Sequence, residues 1–272
     1  AVAQLKDGKF TVWTHSQGVY PFRLHLARAL RVAETNITAI NLEGSGCYGQ
    51  NGADDVACDA ALVARATGGR PVKLQWMRED EFGWEPYGSA MVMKLKARLD
   101  ESGQVVDWQH DVWSHPHSTR PGGAGSNLLA SWHIANPLTM GPPNNIPLPA
   151  GGADRNAVPL YDFPNQRVVL HYLPEMPLRT SALRTLGAYA NVFALESFID
   201  ETAAAAGADS VEFRLRHMKD PRARAVIEAA AQKAGWKPNQ KGDGSHGRGF
   251  AFARYKNLAI YVAVVADVVV DR

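Results

Sequence analysis

The chain has 272 residues, of which 46% are hydrophobic and 21% are charged, as in an ordinary globular protein. Its 29 basic and 27 acidic residues leave a net charge of +2, which gives no basis for a nucleic-acid partner. No apolar run reaches the roughly 18 residues of a membrane span. The two cysteines lack metal-binding spacing, which excludes a disulfide framework, a zinc ribbon and a ferredoxin-type iron–sulfur cluster. We expect a soluble protein, cytoplasmic or periplasmic, and, because the chain ends inside an apolar run, a fragment of a longer one.

The first third of the chain predicts alternating strands and helices, from β-branched or aromatic runs and from apolar side chains at helical spacing. The expected strands cover residues 10–14, 37–42 and 71–77, and the expected helices cover residues 19–32 and 53–67. This is the β-α-β-α-β opening of an α/β fold. Because ligands gather at the carboxyl ends of strands in such sheets, the loops at 15–17 and 44–52 are expected to lie side by side.

Glycines crowd the loop that precedes the second helix. Gly44, Gly46 and Gly49 spell G-x-G-x-x-G, and Gly52 stands directly before the helix. Glycine lets the backbone approach a ligand closely, and N–H groups at a helix start favour anions. The loop therefore predicts a site for a phosphorylated or oxyanionic cofactor. Two alternatives stay open: a tight turn that only joins strand to helix, and a nicotinamide-binding Rossmann domain, which needs repeated βαβ units.

In the middle of the chain, polar and apolar residues alternate with period two on both sides of a turn, which predicts a hairpin. An irregular loop rich in Pro, Gly, Ser and Asn is predicted to follow. The hairpin strands are expected over 91–99 and 105–113, and the loop over 114–160. In this loop His115 and His117 form an H-x-H pair, which can place two imidazoles on one metal ion. The pair supports an alternative function, a metal-dependent amidohydrolase, with His133 and His171 available as further ligands.

Arg184 lies upstream of a strongly apolar helix that is predicted to begin at Phe193. A buried arginine there needs a carboxylate, phosphate or carbonyl partner. One interpretation is a salt bridge with Glu196 or Asp200 that fastens the helix, and the spacing alone favours it. The other is a role in function.

A domain boundary is predicted at Asp220–Pro221, where proline interrupts the helical region. We expect residues 1–218 to form a first domain and residues 221–272 to begin a second one. Residues 235–249 are polar and rich in glycine, which is typical of a connector.

Three stretches together resemble one family. They are the glycine loop with GRPVKLQWMREDEF (69–82), SALRTLGAYANVFALESFIDETAAAAGADSVEFRLRHM (181–218) and GRGFAFARYKNLAIYVAVVADVVVD (247–271). They resemble the molybdopterin-binding subunits of the xanthine dehydrogenase and aldehyde oxidase family, the molybdenum hydroxylases. Within that family they look most like bacterial subunits of the nicotinate and isoquinoline dehydrogenase type. The resemblance spans nearly the whole chain and implies a mixed α/β cofactor-binding domain.

The resemblance implies that the cofactor is molybdopterin with molybdenum, as molybdopterin itself or as its cytosine dinucleotide. In the family, an aromatic residue stands between glycines of the loop beside the molybdenum centre, and Tyr48 matches that position. His15 falls where family members usually offer a glutamine, with Gln17 two residues on. The residues that the resemblance assigns to the cofactor are His15, Gln17, Gly46, Tyr48, Gly49 and Gln50, and none is assigned as a direct metal ligand.

The resemblance also implies the reaction, in which an N-heteroaromatic compound or an aldehyde is hydroxylated with oxygen from water. Arg184 matches the arginine that orients the substrate or its transition state. Purine-oxidising members carry a glutamate where this chain has Gly52, which argues against a purine. The expected partners are the remainder of the molybdenum subunit, an iron–sulfur subunit and a flavin or cytochrome acceptor. Because the family's catalytic glutamate belongs to a later motif, we expect the fragment alone to be inactive.

Overall fold

The computed structural model describes residues 1–49, 52–240 and 242–271, and it confirms the α/β fold class with its β-α-β-α-β opening, hairpin and long loop. The strands are β1 (Val2–Lys6), β2 (Lys9–Thr14), β3 (Ile37–Asn41), β4 (Val72–Lys73), β5 (Tyr87–Gly88), β6 (Met91–Leu99), β7 (Val105–Ser114), β8 (Gln166–Tyr172), β9 (Thr180–Ser181), β10 (His246–Arg254) and β11 (Tyr261–Val269). The helices are α1 (Val19–Leu30), α2 (Ala53–Ala66), α3 (Arg78–Trp84), α4 (Ala188–Ala205), α5 (Ser210–Arg216) and α6 (Pro221–Lys233). Within these described residues, none of the helices is long and apolar enough to span a membrane.

The chain forms two compact units. Unit 1 consists of Ala1–Ala90, His115–Ile146 and Leu173–Leu186, and unit 2 consists of Met91–Ser114, Pro147–Tyr172 and Gly187–Arg272. Each unit is therefore assembled from three separate stretches of sequence. The division near Asp220–Pro221 has other bounds and stays a prediction about the longer protein.

The main sheet of unit 1 has the strand order β3-β2-β1-β4. Strands β2 and β3 are parallel, with Thr14 opposite Asn41 in register, whereas β1 is antiparallel to both β2 and β4. Since α1 carries the chain from β2 back to the start of β3, the carboxyl ends of these two strands meet at one edge of the sheet. The loops after Thr14 and Asn41 therefore begin side by side, as predicted.

In unit 1 one strand was missed and another was predicted too long. Strand β1 was missed; a two-residue turn joins it to β2, with Asp7 and Gly8 at φ +48° and +74°, and Asp-Gly is a sequence signal for such hairpins. The strand expected over 71–77 is limited to Val72–Lys73, because the Asp80 side chain accepts a hydrogen bond from the Met77 N–H at 2.9 Å and starts α3.

The core of unit 1 lies between the sheet and helices α1 and α2. Phe10 and Val12 of β2 pack with Phe22 and Leu26 of α1. Helix α2 faces this core with small side chains, Ala57, Ala60, Ala61 and Ala64. Since alanine has a short side chain and a high helix propensity, α2 forms readily and its backbone lies close to the sheet. The glycine loop is thereby anchored to a well-packed helix.

Unit 2 contains a three-stranded sheet in the order β6-β7-β8 and the antiparallel pair β10–β11. Its core is centred on Trp108, Phe163 and Ile199. A buried ion pair crosses this core, with Arg214 Nε 2.9 Å from Glu196 Oε2, and burial of that carboxyl raises its pKa. Helix α4 begins at Ala188, five residues before the predicted start, because small and polar residues continue its first turn.

Limited proteolysis tests the predicted connector. Residues 237–240 and 242–244 are exposed and lie outside the helices and strands. The Asn239 N–H donates to Asp209 Oδ2 at 3.0 Å, and the Asp243 Oδ1 atom accepts from the N–H groups of Ser245 and His246. Because exposed backbone outside regular secondary structure opens easily, we expect proteinase K to cut the chain first between residues 237 and 247.

The exposed turn after Asp100 is the internal control. There the Asp100 N–H donates to the Gln104 carbonyl at 2.9 Å and closes a short turn between the paired strands β6 and β7, so this turn should resist for longer. Mass spectrometry of the first fragments distinguishes the two sites, and uniform resistance of the 237–247 window would contradict the boundary.

Candidate functional site

A cleft of about 360 Å³ lies at the carboxyl ends of β2 and β3 in unit 1. One wall is formed by His15, Ser16 and Gln17, which follow β2, and the other by residues 41–48, which follow β3. Four of the residues assigned from the sequence, His15, Gln17, Gly46 and Tyr48, therefore line the same cleft. Gly49 is the next residue along the loop, and Gln50 lies outside the described residues.

The first two glycines of the loop are packed against aromatic rings. A Cβ atom at Gly44 would lie 2.7 Å from the His15 side chain, and one at Gly46 would lie 2.6 Å from the Tyr48 ring. A side chain at Gly46 would require the Tyr48 ring to move, and one at Gly44 would require a shift of the whole His15 residue, because the His15 Cβ atom is among the nearest atoms. Tyr48 itself has φ +53° and is 62% exposed, so the loop backbone turns sharply and presents the phenol ring outward.

The third glycine of the motif brings a distant segment of unit 1 to the loop. Gly49 has φ +98°, and a Cβ atom there would overlap the carbonyl oxygen of Ala182. The Ser181 hydroxyl donates a hydrogen bond to the Gly49 carbonyl at 3.4 Å. Only glycine fits at position 49, because both the positive φ and the neighbouring carbonyl exclude a side chain.

Arg184 follows directly in this segment and lies against the loop. Its guanidinium carbon is 5.5 Å from the centroid of the Tyr48 ring, within the range of a cation–π contact. Thr185 and Leu186 continue with φ +76° and +56°, which non-glycine residues rarely adopt, so the backbone after Arg184 is held in a strained turn. Glu196 and Asp200, the carboxylates considered as its ion-pair partners, are bound instead by Arg214, at 2.9 and 2.6 Å.

Two buried carboxylates at the start of α2 were missed in the sequence. Asp54 binds Arg120 at 3.0 Å and accepts a hydrogen bond from the Gly122 N–H at 3.1 Å. Asp55 binds Arg179, whose Nη2 atom lies 2.8 and 3.0 Å from the two carboxylate oxygens. Acidic residues in the first turn of a helix are ordinarily solvated and favour the helix dipole, so nothing local indicated their burial.

The environment of Asp55 changes its acidity. Burial raises the pKa of its carboxyl to about 6, although the Arg179 charge and the hydrogen bond from the Leu129 N–H favour the ionised form. At neutral pH the carboxylate is ionised and binds Arg179. The ion pair between Asp55 and Arg179 is therefore intact at neutral pH and weakens in mild acid.

The histidines do not support the amidohydrolase alternative. His171 is hydrogen-bonded to Asp111 at 2.9 Å and stacked on Trp113, and His117 is buried. Across residues 1–49, 52–240 and 242–271, no group of three His, Cys, Asp or Glu side chains could hold a metal ion. The Rossmann alternative is not supported either, since antiparallel β1 lies between β2 and β4 and interrupts the parallel order.

Comparison with known proteins gives a consistent result. Residues 1–137 match the molybdopterin cofactor-binding domain. A nicotinate dehydrogenase subunit from Pseudomonas putida is 38% identical over 100% of this chain, and an isoquinoline 1-oxidoreductase subunit from Brevundimonas diminuta is 29% identical over 98%. The crystal structure of quinoline 2-oxidoreductase from Pseudomonas putida 86 superposes on 92% of this chain with a TM-score of 0.68 at 17% identity, a likeness of fold.

The chain spans a quarter to a third of these proteins. It covers 23% of the nicotinate dehydrogenase subunit, 32% of the isoquinoline oxidoreductase subunit and 33% of the quinoline oxidoreductase chain. The comparisons support neither the nicotinamide nor the amidohydrolase alternative.

The raised pKa of Asp55 predicts a pH-dependent stability. An acid whose pKa is higher in the folded than in the unfolded state binds its proton more tightly when folded, so its contribution to the free energy of unfolding falls as pH rises from about 4 to about 6. A shift of two units corresponds to about 3 kcal/mol. From pH 4 to pH 7 the free energy of unfolding of the unmodified chain should therefore fall by up to that amount. The Asp55→Asn variant has no carboxyl at this position to ionise, so its free energy of unfolding should lack this fall.

Urea unfolding at four pH values measures this difference. The Asp107→Asn variant is the control for the substitution itself, because Asp107 pairs with Arg98 at the surface, where ion pairs contribute little to stability. A slope for Asp55→Asn that equals the slope of the unmodified chain would contradict the raised pKa.

Proposed function

Because this chain belongs to the family of molybdopterin cofactor-binding domains, we propose that it forms one wall of the active site of a molybdenum hydroxylase. The observation that carries the proposal is the convergence of His15, Gln17, Gly46 and Tyr48 on one cleft, with Arg184 beside the Tyr48 ring. The substrate is an N-heteroaromatic compound or an aldehyde. Water supplies the oxygen, and the electrons leave through partner redox centres.

The chemistry of the cleft suits molybdopterin. This cofactor is anionic and rich in hydrogen-bonding groups, and the cleft offers imidazole, amide and hydroxyl groups from His15, Gln17 and Ser45. Among the described residues that line the cleft, Glu43 is the one carboxylate. Gly46 and Gly49 are proposed to offer backbone groups to the cofactor, and Gln50 completes the set proposed from the sequence. When bound, the cofactor supplies the two-electron oxidation of the substrate carbon.

Arg184 is proposed to orient the substrate. Its side chain is exposed, and its guanidinium carbon lies 5.5 Å from the Tyr48 ring centroid; the N–H groups at the edge of the guanidinium are proposed to meet the substrate. A planar fork of donors suits a substrate carboxylate, or the negative charge that develops on a heteroatom during oxidation. The strained turn at Thr185 and Leu186 helps to fix its direction.

The substrate class is inferred from two observations. The similar proteins include a nicotinate dehydrogenase and an isoquinoline oxidoreductase, which are named for N-heteroaromatic compounds. In this chain a side chain at Gly52 would lie 2.8 Å from the Trp76 ring, so the glutamate of purine-oxidising members has no room there. Both observations favour a substrate such as nicotinate or isoquinoline over a purine.

The proposed assembly contains more than this chain. The remainder of the subunit is expected to supply the catalytic glutamate and further cofactor contacts, and an iron–sulfur subunit with a flavin or cytochrome acceptor is expected to remove electrons. Residues 1–218 and 221–272 are proposed as parts of two successive cofactor-binding domains.

The cofactor is the first test. We expect the full-length subunit, purified with its partners, to contain molybdenum and a pterin in equal amounts, and acid hydrolysis to release cytidine monophosphate if the dinucleotide form is present. Metal analysis and pterin fluorescence measure these contents. A bound nicotinamide nucleotide, or a protein without pterin, would refute the proposal.

The second test is Arg184→Met in the full enzyme. If Arg184 stabilises the transition state, turnover per molybdenum should fall by ~100-fold, or about 3 kcal/mol, while pterin content and melting temperature stay near those of the unmodified enzyme. Arg78→Met is the matched control, because Arg78 is also exposed and its guanidinium carbon lies 4.5 Å from the Phe82 ring centroid. Unchanged turnover per molybdenum in Arg184→Met would exclude the catalytic assignment.

A further inference from the structure

Arg179 stands five residues before Arg184, at the start of the segment that reaches the glycine loop. Its side chain is only 12% exposed, whereas Arg184 is exposed. Both residues belong to unit 1, and the stretch between them includes β9. The contacts of Arg179 fix where this stretch begins.

The guanidinium of Arg179 binds three elements of unit 1 at once. Its Nη2 atom donates to both carboxylate oxygens of Asp55, at 2.8 and 3.0 Å, and to the Asn127 carbonyl at 2.8 Å. Its Nη1 atom donates to the Trp84 carbonyl at 2.9 Å. The guanidinium carbon also lies 5.7 Å from the Trp132 ring centroid. One side chain therefore joins α2, the end of α3 and the 115–146 loop.

The residues after Arg179 connect this fixed position to the glycine loop. The Arg179 carbonyl accepts a hydrogen bond from the Tyr87 N–H at 2.8 Å, and Thr180 then pairs with Tyr87 across β5 and β9. The Thr119 hydroxyl donates to the Thr180 carbonyl at 2.6 Å. Ser181 and Ala182 then contact Gly49, and Arg184 lies over Tyr48. Every residue from 179 to 182 thus has a partner that limits its position.

We propose that Arg179 is a positioning residue for the reaction: bound to Asp55, it holds the 179–184 segment against the glycine loop so that the Arg184 guanidinium faces the substrate. This inference rests on the proposed function. The side-chain partners of Arg179 described above are outside the set of residues that line the cleft, so its effect on turnover passes through Arg184.

The chemistry of the side chain explains why arginine is needed here. The planar guanidinium directs its N–H groups toward a carboxylate and two carbonyls in fixed directions. Lysine has a single nitrogen on a flexible stem and cannot satisfy Asp55 and the Trp84 carbonyl with the same geometry. Arg179→Lys therefore keeps the charge and loosens the anchor.

The experiment uses the full-length enzyme with its partners and compares Arg179→Lys, Arg184→Met and the double variant. We expect Arg179→Lys to lower kcat/KM per molybdenum by ~10- to 100-fold, since small misplacements of a substrate-orienting group cost about that much. In the Arg184→Met background, the same substitution should lower it by less than about twofold, because residues that act through one another are not additive. A multiplicative loss in the double variant, or no loss in Arg179→Lys, would overturn the inference.

Arg214→Lys is the matched control for general destabilisation. Arg214 is likewise buried and binds a carboxylate and carbonyls, but in the core of unit 2. We expect it to lower the melting temperature while kcat/KM per molybdenum stays within about twofold. A loss of kcat/KM equal to that of Arg179→Lys would mean that any loosened core slows the reaction, and it would overturn the positioning role.

Asp55→Asn provides a second variant if Arg179→Lys does not accumulate. It removes the charged partner and leaves Arg179 in place, so it should lower kcat/KM in the same non-additive way with Arg184→Met. Additive behaviour of this pair would equally refute the inference. Failure of the proposed function is recognised separately, because the unmodified enzyme would then lack molybdopterin or fail to hydroxylate any N-heterocycle or aldehyde.

Discussion

The organisation of unit 1 depends on two carboxylates buried in the first turn of α2. Asp54 and Asp55 point from the helix into the surrounding loops and bind Arg120 and Arg179, which come from distant parts of the chain. Buried charges are tolerated only when they are paired and hydrogen-bonded, so each carboxylate dictates where its arginine must lie. The helix itself is held against the sheet by its alanine face. Two irregular segments of unit 1 are thereby given fixed positions, and the one that contains Arg179 reaches the glycine loop, although neither segment has much regular structure of its own.

Such ion pairs contribute more to geometry than to stability. The desolvation of Asp55 is large enough to raise its pKa despite the adjacent arginine, so the pair gains little net free energy over an apolar contact. An apolar contact, however, has no preferred direction, whereas a carboxylate that is hydrogen-bonded by a guanidinium has one favourable arrangement. The proposed site brings together a cleft, a tyrosine ring and an arginine from three stretches of sequence, and it would benefit from that selectivity. The strained backbone at Thr185 and Leu186 persists for the same reason, because the surrounding contacts leave it no alternative.

Local patterns in the sequence were sufficient for much of this fold. Helices α1 and α2 and the hairpin β6–β7 follow from periodicity, and the meeting of residues 15–17 with the glycine loop follows from two parallel strands joined by a helix. The pairing of Asp55 with Arg179 could not be predicted, since 124 residues separate them and each alone looks like a surface charge. Strand β1 had a usable signal in Asp7–Gly8. The roles of the residues in the cleft rested on family resemblance, because a polar residue after a strand is common whether or not it binds anything.

The contact between Gly44 and His15 links two positions that are far apart in sequence. The Cβ atom and the ring of His15 occupy the space that a side chain at position 44 would need. Because the His15 Cβ atom alone would lie 2.7 Å from a Cβ at position 44, only glycine at position 15 would release that space for a side chain at position 44. Substitution at this wall of the cleft is therefore constrained to paired changes, in which the replacement of the histidine by glycine comes first. The shape of the cleft can consequently stay the same through many substitutions elsewhere in the chain. At these two positions it can change only when both residues are replaced.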